Sequence, residues 1–252
     1  PGRSASFLRS LLLSGLTGAM LALAGPPLSA HWVAALPAFL FAPLLAWLIR
    51  TETPRRAALL GLAAGVGFGA LSLRFAFDVL LRFAALGTLA SLPVFLLLLV
   101  LQSAPLVLAL GLARLADTPV SSRLCLTLPL ALAASFGLVP LLFPWHLGHF
   151  TLPWLAWAQL AELGGLPLVD LATAAVGCLG VAAFEAHATV PRDPRRVRGF
   201  GAAAVLLVGV CAAFGYARLR EVRAERLQAQ VLRVGVVQPD VSIAELREGL
   251  TA

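Results

Sequence analysis

Seven apolar runs, at residues 7–24, 32–49, 57–80, 88–112, 124–143, 166–184 and 200–217, leave this chain few ways to fold. A bilayer's hydrocarbon core is about 30 Å thick, and a helix rising 1.5 Å per residue needs about 20 residues to cross it. The runs have that length. Most are separated by helix-breaking or charged clusters: Gly25-Pro26-Pro27, Pro54-Arg55-Arg56, Asp117-Thr118-Pro119 and Pro191-Arg192-Asp193-Pro194. The third is the least regular, because Arg74, Asp78 and Arg82 interrupt its end. Only 12% of the residues are charged and 60% are hydrophobic, whereas a soluble domain carries about 25% charged residues. The expectation is a mostly α, multi-span membrane bundle of about seven helices. Cys125, Cys178 and Cys211 each lie inside an apolar run without a C-x-x-C spacing, and read as small buried hydrophobes.

All 19 basic residues are Arg, with no Lys in the chain. A pI near 11.1 raises nucleic acid as a partner, but the arginines fall between apolar runs instead of forming one stripe. Topology explains them better, and no nucleic acid is expected. Eleven arginines lie at the N-terminus (Arg3, Arg9) and in the second, fourth and sixth loops; only Arg74 and Arg82 are assigned to the odd-numbered loops. The positive-inside rule then places the N-terminus in the cytoplasm and the end of run seven outside. The first run follows Arg3 and Arg9 without an A-x-A cleavage site, so it reads as a retained helix.

The fifth loop, "LLFPWHLGHFTLPWLAWAQLAELGG", holds Trp145, Phe150, Trp154 and Trp157 and no basic residue. Such a segment suits headgroup depth. It could border a lipid access site or be a plain aromatic belt. His146 and His149 are three apart with no Cys or carboxylate in sequence range; a polar lip on the loop fits them better than a metal site, and no metal is expected.

The last residues change character. In "VLRVGVVQPDVSIAELREG" a strand-like run from Val231 is broken at Pro239-Asp240. Ser242 to Glu245 then forms an S-x-x-E capping box before an Ala/Leu/Glu/Arg helix. Residues 218–230 have helix-like apolar spacing and read as an amphipathic connector. The expected division is therefore a transmembrane bundle over 1–217, a connector over 218–230, and the opening of an exported α/β domain over 231–252. The chain begins at Pro1 and reaches Ala252 soon after this element starts, so it reads as part of something longer.

"RVGVVQPD" resembles the opening strand of nitrilase-superfamily (CN hydrolase) domains, and membrane spans leading into such a domain resemble the apolipoprotein N-acyltransferases of bacterial inner membranes. Further motifs agree in order: "LALAGPPL" followed by Trp32 and Pro37, the Gly-rich "GLAAGVGFGALSLRF", "LLFPW" closing run five, and "AQLAELGGLPLVDLATAAVG" leading run six. In the last, Pro167-Leu168-Val169-Asp170 departs from the family's Gly-Ser core.

The resemblance implies a multi-pass inner-membrane enzyme with its C-terminal domain on the periplasmic side. It would transfer a fatty acyl group from a phospholipid donor to the N-terminal diacylglyceryl cysteine of a lipoprotein acceptor, without a cofactor. A Cys thiolate would carry the acyl group as a thioester, a Glu would act as base, and a Lys would stabilise the oxyanion. None of the three can be placed in this chain; they are expected beyond Ala252, and the 252 residues alone are expected to be inactive. The alternatives are another membrane-anchored nitrilase-type amidase or acyltransferase, and a non-catalytic scaffold or transporter module. Candidate lipid- or substrate-facing residues are Trp145, Trp154, Trp157, Arg74 and Asp170. Arg74 either attracts a phospholipid phosphate or pairs with Asp78 at i, i+4. Asp170, inside run six, either faces a wet cavity or is paired. Glu185 with His187 is read as marking the cytoplasmic exit of run six. Truncating Trp145 is expected to weaken lipid binding and spare the fold.

Overall fold

The computed structural model describes residues 3–25, 35–82, 87–117, 124–188, 193–230 and 234–235. By contacts the chain forms two units, Pro1–Leu219 and Arg220–Ala252. The first holds α1 (Arg3–Leu23), α2 (Leu36–Ile49), α3 (Pro54–Ser72), α4 (Arg74–Arg82), α5 (Thr88–Gln102), α6 (Ala104–Ala116) and α7 (Leu124–Leu138). A 3₁₀ turn (Leu147–Thr151), the one-turn α8 (Leu155–Ala158) and α9 (Ala161–Ala188) follow, and then most of α10 (Pro194–Gln228). Of the second unit the end of α10 and Val234–Gly235 are described; these two residues are not in a strand, and the rest of the anticipated strand and capped helix lies outside the described residues. So does the Pro26-Pro27 and Trp32 segment.

The helix boundaries follow the breakers. Pro54 opens α3 behind Thr53, whose hydroxyl accepts the Arg56 amide, so an orphan donor of the first turn is satisfied. Asp193 does the same for α10 through the amides of Arg195 and Arg196. Ser103 separates α5 from α6, its hydroxyl donating to the Leu99 carbonyl at 2.7 Å, a back-bond that bends helices. Gly165 has φ of +67° and, with Gly164, interrupts α9 near its start. Pro167 then sits in the first turn of the long segment, where its missing N–H costs nothing.

Four helical stretches are long and apolar enough to cross a membrane: Ser6–Leu23, Thr88–Ala116, Ala161–Ala188 and Pro194–Gln228. The pair α3–α4 makes a fifth if counted as one broken span. It bends by 58°, and the bend falls just before Arg74, where the run turns polar and a straight helix would carry charge into hydrocarbon. The remaining two of the seven anticipated spans are short apolar helices, α2 with 14 residues and α7 with 15. At 1.5 Å per residue they rise only about 21–23 Å.

The Gly-rich third run lies at the centre, with α1 parallel to it on one side and α6 antiparallel on the other. A Cβ on Gly67 would collide with the Gly15 carbonyl, and one on Gly61 with the Leu106 carbonyl. Small residues let these backbones approach, which is how membrane helices gain packing without a hydrophobic drive between them. The Ser14 hydroxyl adds a buried hydrogen bond to the Leu60 carbonyl, 2.7 Å long. Phe41 and Leu45 of α2, Leu106 and Leu110 of α6 and Leu128 and Leu132 of α7 complete one core. α9 packs against both α2 and α7.

Candidate functional site

The run that closes span five does not stay helical. After Leu138 the chain runs on without regular secondary structure, and Gln102, at the end of α5, clamps it. The Gln102 amide donates to the Phe143 carbonyl at 2.7 Å and its oxygen accepts from the Leu142 amide at 3.0 Å. Beyond this clamp the loop folds onto the bundle. Trp145 is only 8% exposed; its ring stacks on Phe68 of α3, with centroids 4.1 Å apart, and meets Phe136 of α7 edge-on at 4.5 Å.

The polar centre is Asp170, fully buried near the start of the long segment of α9. Its Oδ2 lies 2.7 Å from His146 Nδ1, and its Oδ1 accepts the Gly148 amide at 2.7 Å. One carboxylate thus fixes the loop's backbone and side chain, the dense satisfaction a buried acid requires. The Thr151 hydroxyl donates back to the Gly148 carbonyl. His149 Nδ1 accepts the His146 amide at 3.2 Å, which needs a neutral imidazole at that nitrogen. Burial, then the neighbouring His146, pushes His149 below the ordinary value of 6.5, with Asp170 acting in the opposite sense. A second anchor is the Trp157 indole, which donates to Thr173 at 3.0 Å; Thr173 in turn donates to the Val169 carbonyl.

Several sequence expectations change. Trp145 and Trp157, candidates to face lipid at headgroup depth or to form a belt there, are both buried, at 8% and 4% exposure. Aromatic composition is the same in a belt and in a core, so the sequence does not separate the two. Truncating Trp145 therefore opens a cavity in the core and cannot spare the fold. Trp154, at 38% exposure, is the loop tryptophan that reaches the surface, with its ring 5.5 Å from Phe39. Asp170 faces no wet cavity, and His146 and His149 form no free lip, since His146 holds Asp170. Glu185, read as marking the exit of run six, pairs with Arg50 at the end of α2. Arg74 and Asp78 make no ion pair with one another among the described residues; basic before acidic at i, i+4 is the less favourable order on a helix. Both instead line a cleft of about 450 Å³ beside the Phe77–Phe95 ring pair. Gln102 and Thr173, which hold the loop, were not singled out from the sequence. A lone Gln in "LLLLVLQSAP" is the signal that points to the first, because an amide in so apolar a run must find partners.

Fold and loop together define a membrane-helix bundle that carries a docked aromatic segment between its fifth apolar helix and α9. Residues 17–179 match the apolipoprotein N-acyltransferase N-terminal domain family. The chain belongs to that family. No curated protein matches the chain.

Proposed function

We propose that this chain is the membrane part of an enzyme that moves a fatty acyl group from phospholipid to the N-terminal diacylglyceryl cysteine of lipoproteins. The family match over 17–179 is the observation that carries the reading. In this proposal all seven apolar runs lie in a bacterial inner membrane, with the arginine-rich loops in the cytoplasm. In it, the short helices α2 and α7 are the second and fifth of these spans. A nitrilase-like domain starts near residue 231, on the opposite side from the N-terminus, and supplies the thiolate, the base and the oxyanion donor. The chain's composition favours an outside supply: it has no Lys, and its three cysteines sit in apolar helices, where burial disfavours a thiolate.

The thiolate attacks the phospholipid ester and expels a lysophospholipid; the acceptor amine then attacks the thioester and returns the thiol. Both lipids present their reactive groups at headgroup height, so the bundle's task is to hold that domain over a lateral opening. Arg74, in its cleft on α4, is placed to meet a phosphate, and Trp154 offers a ring face to an acyl chain. Trp145, Trp157 and Asp170 support the rim from beneath.

The test uses the full-length enzyme with phospholipid and a diacylated lipopeptide, read by mass spectrometry. The expected products are amine-acylated peptide and lysophospholipid in equal amounts, and Arg74→Gln and Trp154→Ala are expected to lower kcat/KM about tenfold at unchanged Tm. Absence of acyl transfer by the full-length enzyme would overturn the reading. Unchanged kinetics in both variants would remove these two residues from it.

A further inference from the structure

At the arginine-rich end of the bundle, away from the docked loop, α2, α7, α9 and the start of α10 enclose a cavity of about 270 Å³. Its rim carries two cations and two anions, Arg50 with Glu185 and Arg196 with Asp193. Its wall is apolar, from Pro43 of α2, Leu124 of α7 and Val181 of α9, and Trp47 stands beside it with 56% of its surface exposed.

We propose that this cavity binds a zwitterionic phospholipid headgroup of the phosphoethanolamine type, with the first methylenes of its chain against the apolar wall. Three observations lead there. The four charged groups that line it balance, so a phosphate and an ammonium together exchange partners with the two ion pairs and leave that sum unchanged, whereas a lone anion engages only the arginines. Those pairs are open to water, with side-chain exposures of 44% and 37% for the first and 74% and 44% for the second, and exposed pairs are weak enough to be exchanged. The volume falls just below the range of about 300–1,000 Å³ that encloses a whole drug-sized ligand, so it suits a headgroup and the beginning of a chain, with the rest in the bilayer. The site goes beyond the proposed acyl transfer. It is a separate lipid contact, at the other end of the bundle from Arg74 and Trp154, and its test reads binding alone.

The chain in non-ionic detergent is titrated with dihexanoyl phosphatidylethanolamine, dihexanoyl phosphatidylglycerol and free phosphoethanolamine, with calorimetry as the readout. Saturable binding of the phosphatidylethanolamine is expected, at least tenfold tighter than the glycerol lipid and than the free phosphoester. Asp193→Asn keeps the cap on α10 and removes a charge; paired with Arg196→Gln it is expected to weaken binding at least tenfold at unchanged Tm. Arg50→Gln, which also loosens the α2–α9 contact, is expected to weaken it similarly. Equal affinity for the two lipids, equal affinity for the free phosphoester, or indifference to the Asp193 and Arg196 pair of substitutions would overturn the proposal.

Discussion

Where α2 and α9 end, their tie is made of charges that water reaches, Arg50 with Glu185 at 44% and 37% side-chain exposure, beside the less exposed pairs Arg56–Glu52 and Arg114–Asp117. Where α7 ends and α9 begins, it is tied by groups that water does not reach: Asp170 at 0% exposure, Thr173 at 0% and Trp145 at 8%. The first kind of tie is screened by salt and contributes little per pair. The second is costly to break, because each partner left behind is a buried polar group or an open cavity. One end can therefore exchange its partners with ligands, while the other holds a loop in one place. For the acyl transfer proposed above, a fixed loop is the useful arrangement.

The largest effect should come from the aromatic end. Trp145→Ala removes a ring stacked on Phe68 and set edge-on to Phe136, and is expected to cost about 4 kcal/mol of stability, read as the fall in unfolding free energy in mixed micelles. A loss below 1 kcal/mol would return Trp145 to a surface role.

A smaller effect should follow pH. His149 titrates below its ordinary 6.5 because it is half-buried and beside His146. The unfolded chain therefore takes up its proton first as pH falls, so the contribution of His149 to stability is complete above 6.5 and declines below it. Melting curves between pH 7.5 and 5 should show Tm falling on the acid side, and His149→Gln should flatten that part of the slope. An unchanged slope would move the pH dependence to another group.

The smallest effect belongs to the exposed end. Arg50→Gln should cost about 0.5 kcal/mol, and the difference from wild type should shrink between low and high salt. A salt-independent loss of several kcal/mol would mean that the two ends are built alike.

How far the residues disclose this arrangement depends on the range of the interaction. Helices were legible from apolar run length, and the start of α3 from Pro54, because these act within a few residues; run four read as unbroken, and the breaks at Ser103 and at Gly164-Gly165 came from the structure. The glycines of the third run were read as a family motif, and their close packing on α1 and α6 came from the structure. The bend at Leu73 was visible as a polar interruption, though not as a change of direction. The loop's position was not legible. Asp170 and His146 are 24 residues apart, and nothing local says that a carboxylate in span six will meet a histidine of the preceding loop. Trp145 and Trp154 have the same side chain in the same loop, and only tertiary packing buries one and exposes the other.

The carboxylate clamp is tested most directly by hydrogen exchange at the Gly148 amide, whose partner is Asp170 Oδ1. In the wild-type chain this amide should be strongly protected, as an amide bonded to a buried acid must be. In Asp170→Ala it should exchange about 100-fold faster, the equivalent of about 3 kcal/mol of lost local stability, while the amides of α3 keep their rates. Equal exchange at Gly148 in the two proteins, or an unprotected Gly148 in the wild type, would contradict a loop held in place by Asp170.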